Sequence, residues 1–372
     1  MGTSLSVPKT MRAVVLTGHG GFDKLEYRDD WPTPSPGEYD VLIRVEACGL
    51  NNTDVNTRTA WYSKAVTEQT TGGGSDAAED EDATWGGAAI TFPRIQGADV
   101  AGTVVAVGPN VDTGLVGRRV LVDTWVRDWD EPNNLDKCGY FGSECDGGFA
   151  EFTVADMRNV HPIDSDLTSV ELATFATSYV TAENMLNRAK VREGDSVLIP
   201  GASGGVGSAL IQLANRRGAK TIAMAGESKH DAVTAVGATA VLARAPDNLK
   251  GSLEGCVGHS EVSVVADVVG GPHWPTLIGA LARGGRYTCA GAIAGPMVDF
   301  DLRTFYLRDL TFTGATIVPP GVFGDLVGYI ERGEIKPLLA AAYPLERLHE
   351  AQQAFIDKRH VGNIVVSVDA GT

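Results

Sequence analysis

The chain has 372 residues and a formal net charge of −16. That length can hold two domains with a sizeable core, and the charge excludes nucleic acid or an anionic membrane surface as partners. No apolar run approaches a membrane span, and "MGTSLSVPKT" lacks a basic segment followed by an apolar core. Five scattered cysteines, an odd number, suit a reducing cytoplasm better than a disulfide framework. The nearest pair, Cys138 and Cys145, offers too few ligands for a closed zinc site.

In chain order, "RAVVLTGHG", "WPTPSPGEYDVLIRVEACG", "GADVAGTVVAVGPNV" and "GRRVLVDTW" alternate apolar and polar residues between Pro/Gly turns. They predict a mainly β region. The stretch "ACGLNNTDVN" ends one of these strands in a polar turn. Residues 60–93 interrupt the pattern with a glycine triplet and an acidic cluster. This insertion reads either as a solvated surface loop or as a mobile flap whose Trp61, Tyr62 and Trp85 help enclose a substrate.

From Leu167 the period changes. Thr168 and Glu171 form a capping-box pattern ahead of a helical face in "VELATFATSYVTAENMLNRA". Strands and helices then alternate: "DSVLIPG", "GVGSALIQLANRRG", "KTIAMAG", "SKHDAVTAVG", "AVLAR", "VSVVADVVG", "WPTLIGALARGG", "GRYTCAGAI" and "LTFTGATIV". Such alternation implies right-handed crossovers and a parallel sheet, so the fold class is α/β. The division expected is 1–166, 167–317 and a return segment, 318–372, ending in the strand "GNIVVSV".

"VLIPGASGGVGSALIQLA" supplies a strand, a tight turn and a helix. Small residues at Ser203, Gly204, Gly205 and Gly207, with Val206 between them, let a pyrophosphate approach the helix N-terminus. The same residues fit G-x-S-x-G, a nucleophile elbow with Ser203 as nucleophile and Asp267 with His349 or His360 as partners. No "HGGG" segment accompanies it, and the β-rich first part has no place in that reading. Beyond the second strand come Glu227, Ser228 and Lys229. A lysine beside a hydroxyl suits a 2′-phosphate and favours NADPH, while Glu227 keeps NADH open.

Together "ACGLNNTD", "QGADVAGTVVAVG", "GGFAEFTV", "TSYVTAENML", "GASGGVG", "VVADVVGG" and "GNIVVSV" resemble the medium-chain dehydrogenase/reductase superfamily, in its zinc-free, quinone-oxidoreductase-like (zeta-crystallin-like) branch. The resemblance spans the chain from Met11 onward apart from the insertion. It implies a GroES-like catalytic domain and a Rossmann doubly wound domain. The zinc enzymes of the superfamily carry "CGxCHTD" and "GHE". Here those positions read Asn51-Asn52 and Gly97-Ala98-Asp99, so no metal is expected. The resemblance further implies catalytic roles for Asn51 and Asp54 and places Thr181 at the nicotinamide. Gly270 and Gly291 border the cofactor. Asn363 replaces a lysine that family members often carry. Tyr140 and Tyr179 are candidate proton donors. The expected activity is hydride delivery from NADPH to a quinone or α,β-unsaturated carbonyl, a small-molecule substrate. A zinc-free carbonyl reductase or alcohol dehydrogenase, and a non-catalytic NADPH-binding crystallin-like protein, are the alternatives. The strand near 310–317 reads as a sheet edge through which a homodimer would form.

Overall fold

The computed structural model describes residues 7–74, 78, 80–86 and 89–368. In its first half, strands Val160–Pro162, Arg119–Val122, Asp99–Val107 and Asp40–Gly49 pair in that order, and Phe152–Asp156 also pairs with Asp40–Gly49. The strand Asn363–Ser367 adds antiparallel beside Ala47–Gly49, and Leu339–Pro344 adds parallel to it. The end of the chain thus completes the first domain's sheet. Its inward faces, among them Val41, Ile43, Val45, Val100, Val104, Ile364 and Val366, form one apolar core. A second small sheet joins Leu25–Pro32, Thr10–Leu16 and Arg94–Ile95.

The second half is a six-stranded sheet. Across it run Ala240–Ala243, Lys220–Ala225, Ser196–Pro200, Val262–Asp267, Leu281–Cys289 and Thr311–Gly314, every neighbouring pair parallel. Numbered along the chain, that order is third, second, first, fourth, fifth, sixth. The order reverses beside Ser196–Pro200, and a ligand crevice opens there at the carboxyl ends of the strands. The helix Val322–Glu331 packs on the helix Ala176–Arg188 and, through Phe323, on His161 of the first domain. It stands at the joint between the two domains.

Several elements differ from the sequence reading. The turn after Gly49 is the start of a helix, Asn52–Arg58, with Asn51 as its N-cap. The long helical face from 170 is two helices, Ser169–Leu172 and Ala176–Arg188, broken where Ala173 has already turned away. The capping box at Thr168 and Glu171 forms as read. The edge strand is shorter than "LTFTGATIV", covering Thr311–Gly314. A helix at Leu249–Val257, begun by the Asn248 side chain, had no clear apolar period to announce it.

The insertion is neither loose nor featureless over its described residues. Thr70 donates its N–H to the Ile293 carbonyl (3.0 Å) and its hydroxyl to Asn56 Oδ1 (3.1 Å), so the segment bridges both domains. Arg58, fully buried, donates to the carbonyls of Gly20 and Gly72 and to Gln352 Oε1. Trp85 packs edge-on against Trp125 and donates to Glu144. The reading of residues 60–93 as a solvated loop holds at the exposed positions Lys64, Ala65, Thr67, Glu68, Gln69 and Thr71 and fails at the anchored Thr70 and Trp85. Polar composition concealed the anchors because they are backbone carbonyls, which any sequence supplies.

Candidate active site

The glycine turn is shaped by close contacts. A Cβ on Gly207 would lie 2.4 Å from the Gly201 carbonyl oxygen, and one on Gly205 would lie 2.3 Å from Asn363 Oδ1. Gly204 is different: the nearest atom to such a Cβ, the Gly201 carbonyl oxygen, is 3.6 Å away at ordinary contact distance, so the space over the turn is uncrowded there. The helix Gly205–Arg216 starts there with no side-chain cap, so its first N–H groups face that space. Val206 and Ser203 line it half-buried. Asn363 is buried; its Oδ1 accepts from Ser178 Oγ (2.8 Å) while its Nδ2 has no partner. An uncapped helix start, an uncrowded glycine and an orphaned buried amide donor together fit a dinucleotide's phosphates.

The opposite wall is made by two loops at strand ends. Gly270 and Gly271 pack on residues 292–295, with the Gly271 N–H donating to the Gly295 carbonyl and the Ala294 N–H to the Val269 carbonyl. Gly291 lies at the start of that second loop, against Val268. Asp267 accepts from the backbone of Val269 and Gly270 and from the Tyr287 hydroxyl, so it holds this turn. His349 is bonded to the Leu25 carbonyl in the first domain. The nucleophile-elbow reading of Ser203 is therefore set aside, since Asp267 is held by backbone N–H groups and Tyr287 rather than by a histidine, and His349 is bonded elsewhere.

At the tip of Lys220–Ala225, Glu227 and Ser228 are exposed. The Lys229 ammonium donates to the carbonyls of Lys358 (2.6 Å) and His360 (2.8 Å). Lys229 is thus not a free solvated lysine; it ties the nucleotide-domain strand tip to the return segment, with a third N–H left over. Burial, and then the nearby Arg244, lower its pKa. Arg244 follows the third strand, and register Ala225↔Ala243 brings it beside Gly226. Lys358 completes the basic group. Its ammonium donates to Asn52 Oδ1 (3.0 Å) and lies 3.6 Å from the centre of the Phe355 ring. Burial and Lys229 bring its pKa down to about 7. Neither Arg244 nor Lys358 was singled out from the sequence. Arg244 was within reach of it, because adjacent strand tips in a doubly wound sheet share one crevice.

Between the domains, Asn51, Asp54, Asp99, Tyr140 and Thr177 converge. The Asn51 N–H donates to Asp54 Oδ2 (2.8 Å), which fixes the helix start. Burial raises the Asp54 pKa to about 7 against that hydrogen bond, and Asp99 adds to the rise. Asp99 Oδ1 accepts from both the N–H (3.0 Å) and the hydroxyl of Thr177. Burial raises its pKa to about 6, opposed by Thr177 and by the neighbouring Asn51 amide. Among the described residues no acceptor meets Asn51 Nδ2 at hydrogen-bonding geometry, although the atom is buried beside Asp99. Tyr140 Oη lies 2.7 Å from Thr177 Oγ1, and its ring packs against Trp125. Thr181 stands half-buried one helical turn beyond Thr177. Tyr179 is not part of this group. Its hydroxyl donates to the Lys336 carbonyl and accepts from Gln212, a structural role that removes it as a proton donor.

Two family models match the chain: the alcohol dehydrogenase GroES-like domain over residues 37–165 and the zinc-binding dehydrogenase domain over residues 205–332. A solved structure from Sinorhizobium meliloti 1021, provisionally assigned as an alcohol dehydrogenase, is 45% identical, with a TM-score of 0.89 and 98% of each chain covered. The chain belongs to the medium-chain dehydrogenase/reductase superfamily. Among curated members of the superfamily, human quinone oxidoreductase is 27% identical over 94% of each chain. Acryloyl-coenzyme A reductase of Sulfurisphaera tokodaii is 27% identical over 96% of this chain and 99% of its own. As a medium-chain dehydrogenase/reductase the protein is an oxidoreductase of a family that binds nicotinamide dinucleotides.

The name of the second model raises the question of a zinc ion, and the donor set does not fit one. Among the described residues no group of three His, Cys, Asp or Glu side chains could hold a metal ion. Asp99 is accompanied by an amide, a hydroxyl and Ala98 rather than by thiolates or imidazoles. Cys48, the nearest thiol, is fully buried, and its pKa is pushed well up by burial and by the two carboxylates.

Proposed function

We propose that this protein is an NADPH-dependent reductase of quinones or α,β-unsaturated carbonyls that works without a metal. The observation that carries the reading is the buried Asn51 amide beside Asp99, in a cluster with no metal-ligand set. An isolated ketone would concentrate negative charge on one oxygen, where zinc ordinarily assists by several kcal/mol. A conjugated acceptor spreads that charge, and a single amide donor with a nearby proton source suffices to hold it. The bound dinucleotide supplies the hydride. The chain's own residues position the acceptor oxygen at Asn51, hold the helix start through Asp54 and exclude water with the Trp85–Trp125–Tyr140 ring cluster.

Preference for NADPH rests on Lys229 and Arg244 at the second strand tip, where two cations and the exposed Ser228 suit a 2′-phosphate. The test is a panel of quinones, enones and saturated ketones with NADPH and NADH, run beside elemental analysis. Turnover of conjugated acceptors by metal-free protein is the expected result. Turnover confined to saturated ketones, or activity that depends on stoichiometric zinc, would refute the proposal.

A further inference from the structure

A buried hydroxyl chain joins two groups that the reading above leaves unconnected. Thr177 Oγ1 contacts Asp99 Oδ1 on one side and Tyr140 Oη, at 2.7 Å, on the other. Thr177 has one hydroxyl proton, so the chain can run in only two directions. With Asp99 ionised, Thr177 donates to the carboxylate and Tyr140 must donate to Thr177. The tyrosine proton is then turned inward. With Asp99 protonated, the carboxylic acid donates to Thr177, Thr177 donates to Tyr140, and the tyrosine O–H is released toward its free end. Thr124 stands at that end, and its buried hydroxyl is the other hydrogen-bonding group beside the Tyr140 hydroxyl.

We propose that Asp99, acting through Thr177, loads and aims the Tyr140 hydroxyl as the proton source for the reduced substrate. This rests on the conjugated-acceptor reading. Hydride addition at the β-carbon converts the acceptor to an enolate. The enolate takes one proton from Tyr140, Tyr140 takes one from Thr177, and Thr177 takes one from Asp99, which ends ionised. Water then returns a proton to Asp99, so the sum is one hydride and one proton added per carbon–carbon double bond. Asp99 and Thr177 touch no substrate; they are positioning residues.

The surroundings keep Asp99 protonatable. The titratable groups that face it are Asp54 from the helix Asn52–Arg58, Cys48 from the strand Asp40–Gly49 and Tyr140 from Gly139–Tyr140. Asn51 and Thr177 add neutral donors, and no cation is among these neighbours. Burial without a counter-charge disfavours the carboxylate and brings the pKa to about 6. Protonation-limited reduction should therefore fall as the pH rises through that value.

The test has two arms. Infrared titration of the cofactor-free protein should show, as the difference between native and Asp99→Asn spectra, a carboxylic-acid band that vanishes as the pH rises through about 6, apart from the band of Asp54, which titrates near 7. That band should be shifted in Thr177→Val. In steady-state enone reduction, Thr177→Val and Tyr140→Phe should lower kcat by about 100-fold and flatten its pH profile, while NADPH affinity holds. Thr177→Ser, which keeps the hydroxyl, should retain both rate and profile. A native rate and profile in Thr177→Val, or an Asp99→Asn spectrum identical to the native one at every pH, would overturn the relay. If Thr177→Val does not fold, Tyr140→Phe carries the kinetic arm. A native protein that reduces no conjugated acceptor would defeat the functional reading, and the infrared arm would still decide the relay.

Discussion

A methyl group on Gly205 would meet Asn363 Oδ1 at 2.3 Å and Ser178 Oγ at 2.4 Å. Both neighbours are buried, so neither can swing clear without losing its hydrogen bond. Gly205→Ala should cost about 1–3 kcal/mol, read in urea unfolding, and Gly205→Ala with Asn363→Ala should cost less than the sum of the two. Additive costs would mean that the contact is not shared. Arg244 gives a second prediction at this scale. Arg244→Ala should weaken NADPH binding about tenfold, the order of one charge-assisted hydrogen bond, and leave NADH binding unchanged. Calorimetry showing equal loss for both cofactors would place Arg244 away from the 2′-phosphate. The glycine turn was legible in the sequence because its residues are contiguous and lie between a strand and a helix of a βαβ unit. The Asp99–Thr177 contact was not. The two positions lie 78 residues apart, and an aspartate and a threonine carry no signal individually.

The insertion shows at the scale of elements how composition misleads. Gly-rich and acidic sequence predicts solvation, yet residues 61–74 are held by a cation they do not contain. Arg58 reaches them from the end of the helix Asn52–Arg58, with its guanidinium also 4.6 Å from the centre of the Phe22 ring. Burial lowers its pKa to about 10, so the charge is retained at neutral pH. Arg58→Met should cost about 2–4 kcal/mol, because carbonyls of Gly20 and Gly72 and the Gln352 amide lose a buried donor. Limited proteolysis should then cut between 61 and 74. A variant with native melting temperature and native resistance would show that other contacts hold the strap. The strap also walls a cleft of about 670 Å³, lined by Glu68 and Gln69 with Pro272, Pro275, Met297 and Asp299. Its two carboxylates, Glu68 and Asp299, disfavour heavily phosphorylated acceptors there. The strands and helices of the parallel sheet were legible because their apolar periods are long. The helix after Asn51 was not, being seven residues with mostly polar side chains.

For the molecule as a whole, the strand Thr311–Gly314 forms one edge of the parallel sheet. Beside it, Met297, Leu302, Tyr306 and Leu307 are 58–69% exposed, an unusual concentration of large apolar side chains. We propose that two subunits pair there and bury both the edge and this patch. Tyr306→Asp with Leu302→Asp should give a monomer in sedimentation without loss of fold. A native protein that already sediments as a monomer would dismiss the pairing. Among the described residues no helix is long and apolar enough to cross a membrane.

The strand Asn363–Ser367 carries one further consequence. Its first residue supplies an amide to the phosphate turn, and the Gly362 N–H just before it donates to the Ser203 carbonyl. A nascent chain emerging from the ribosome can finish the parallel sheet long before these residues appear. Until they do, the coenzyme crevice lacks a side, so competence to hold a nucleotide arrives late and all at once during synthesis.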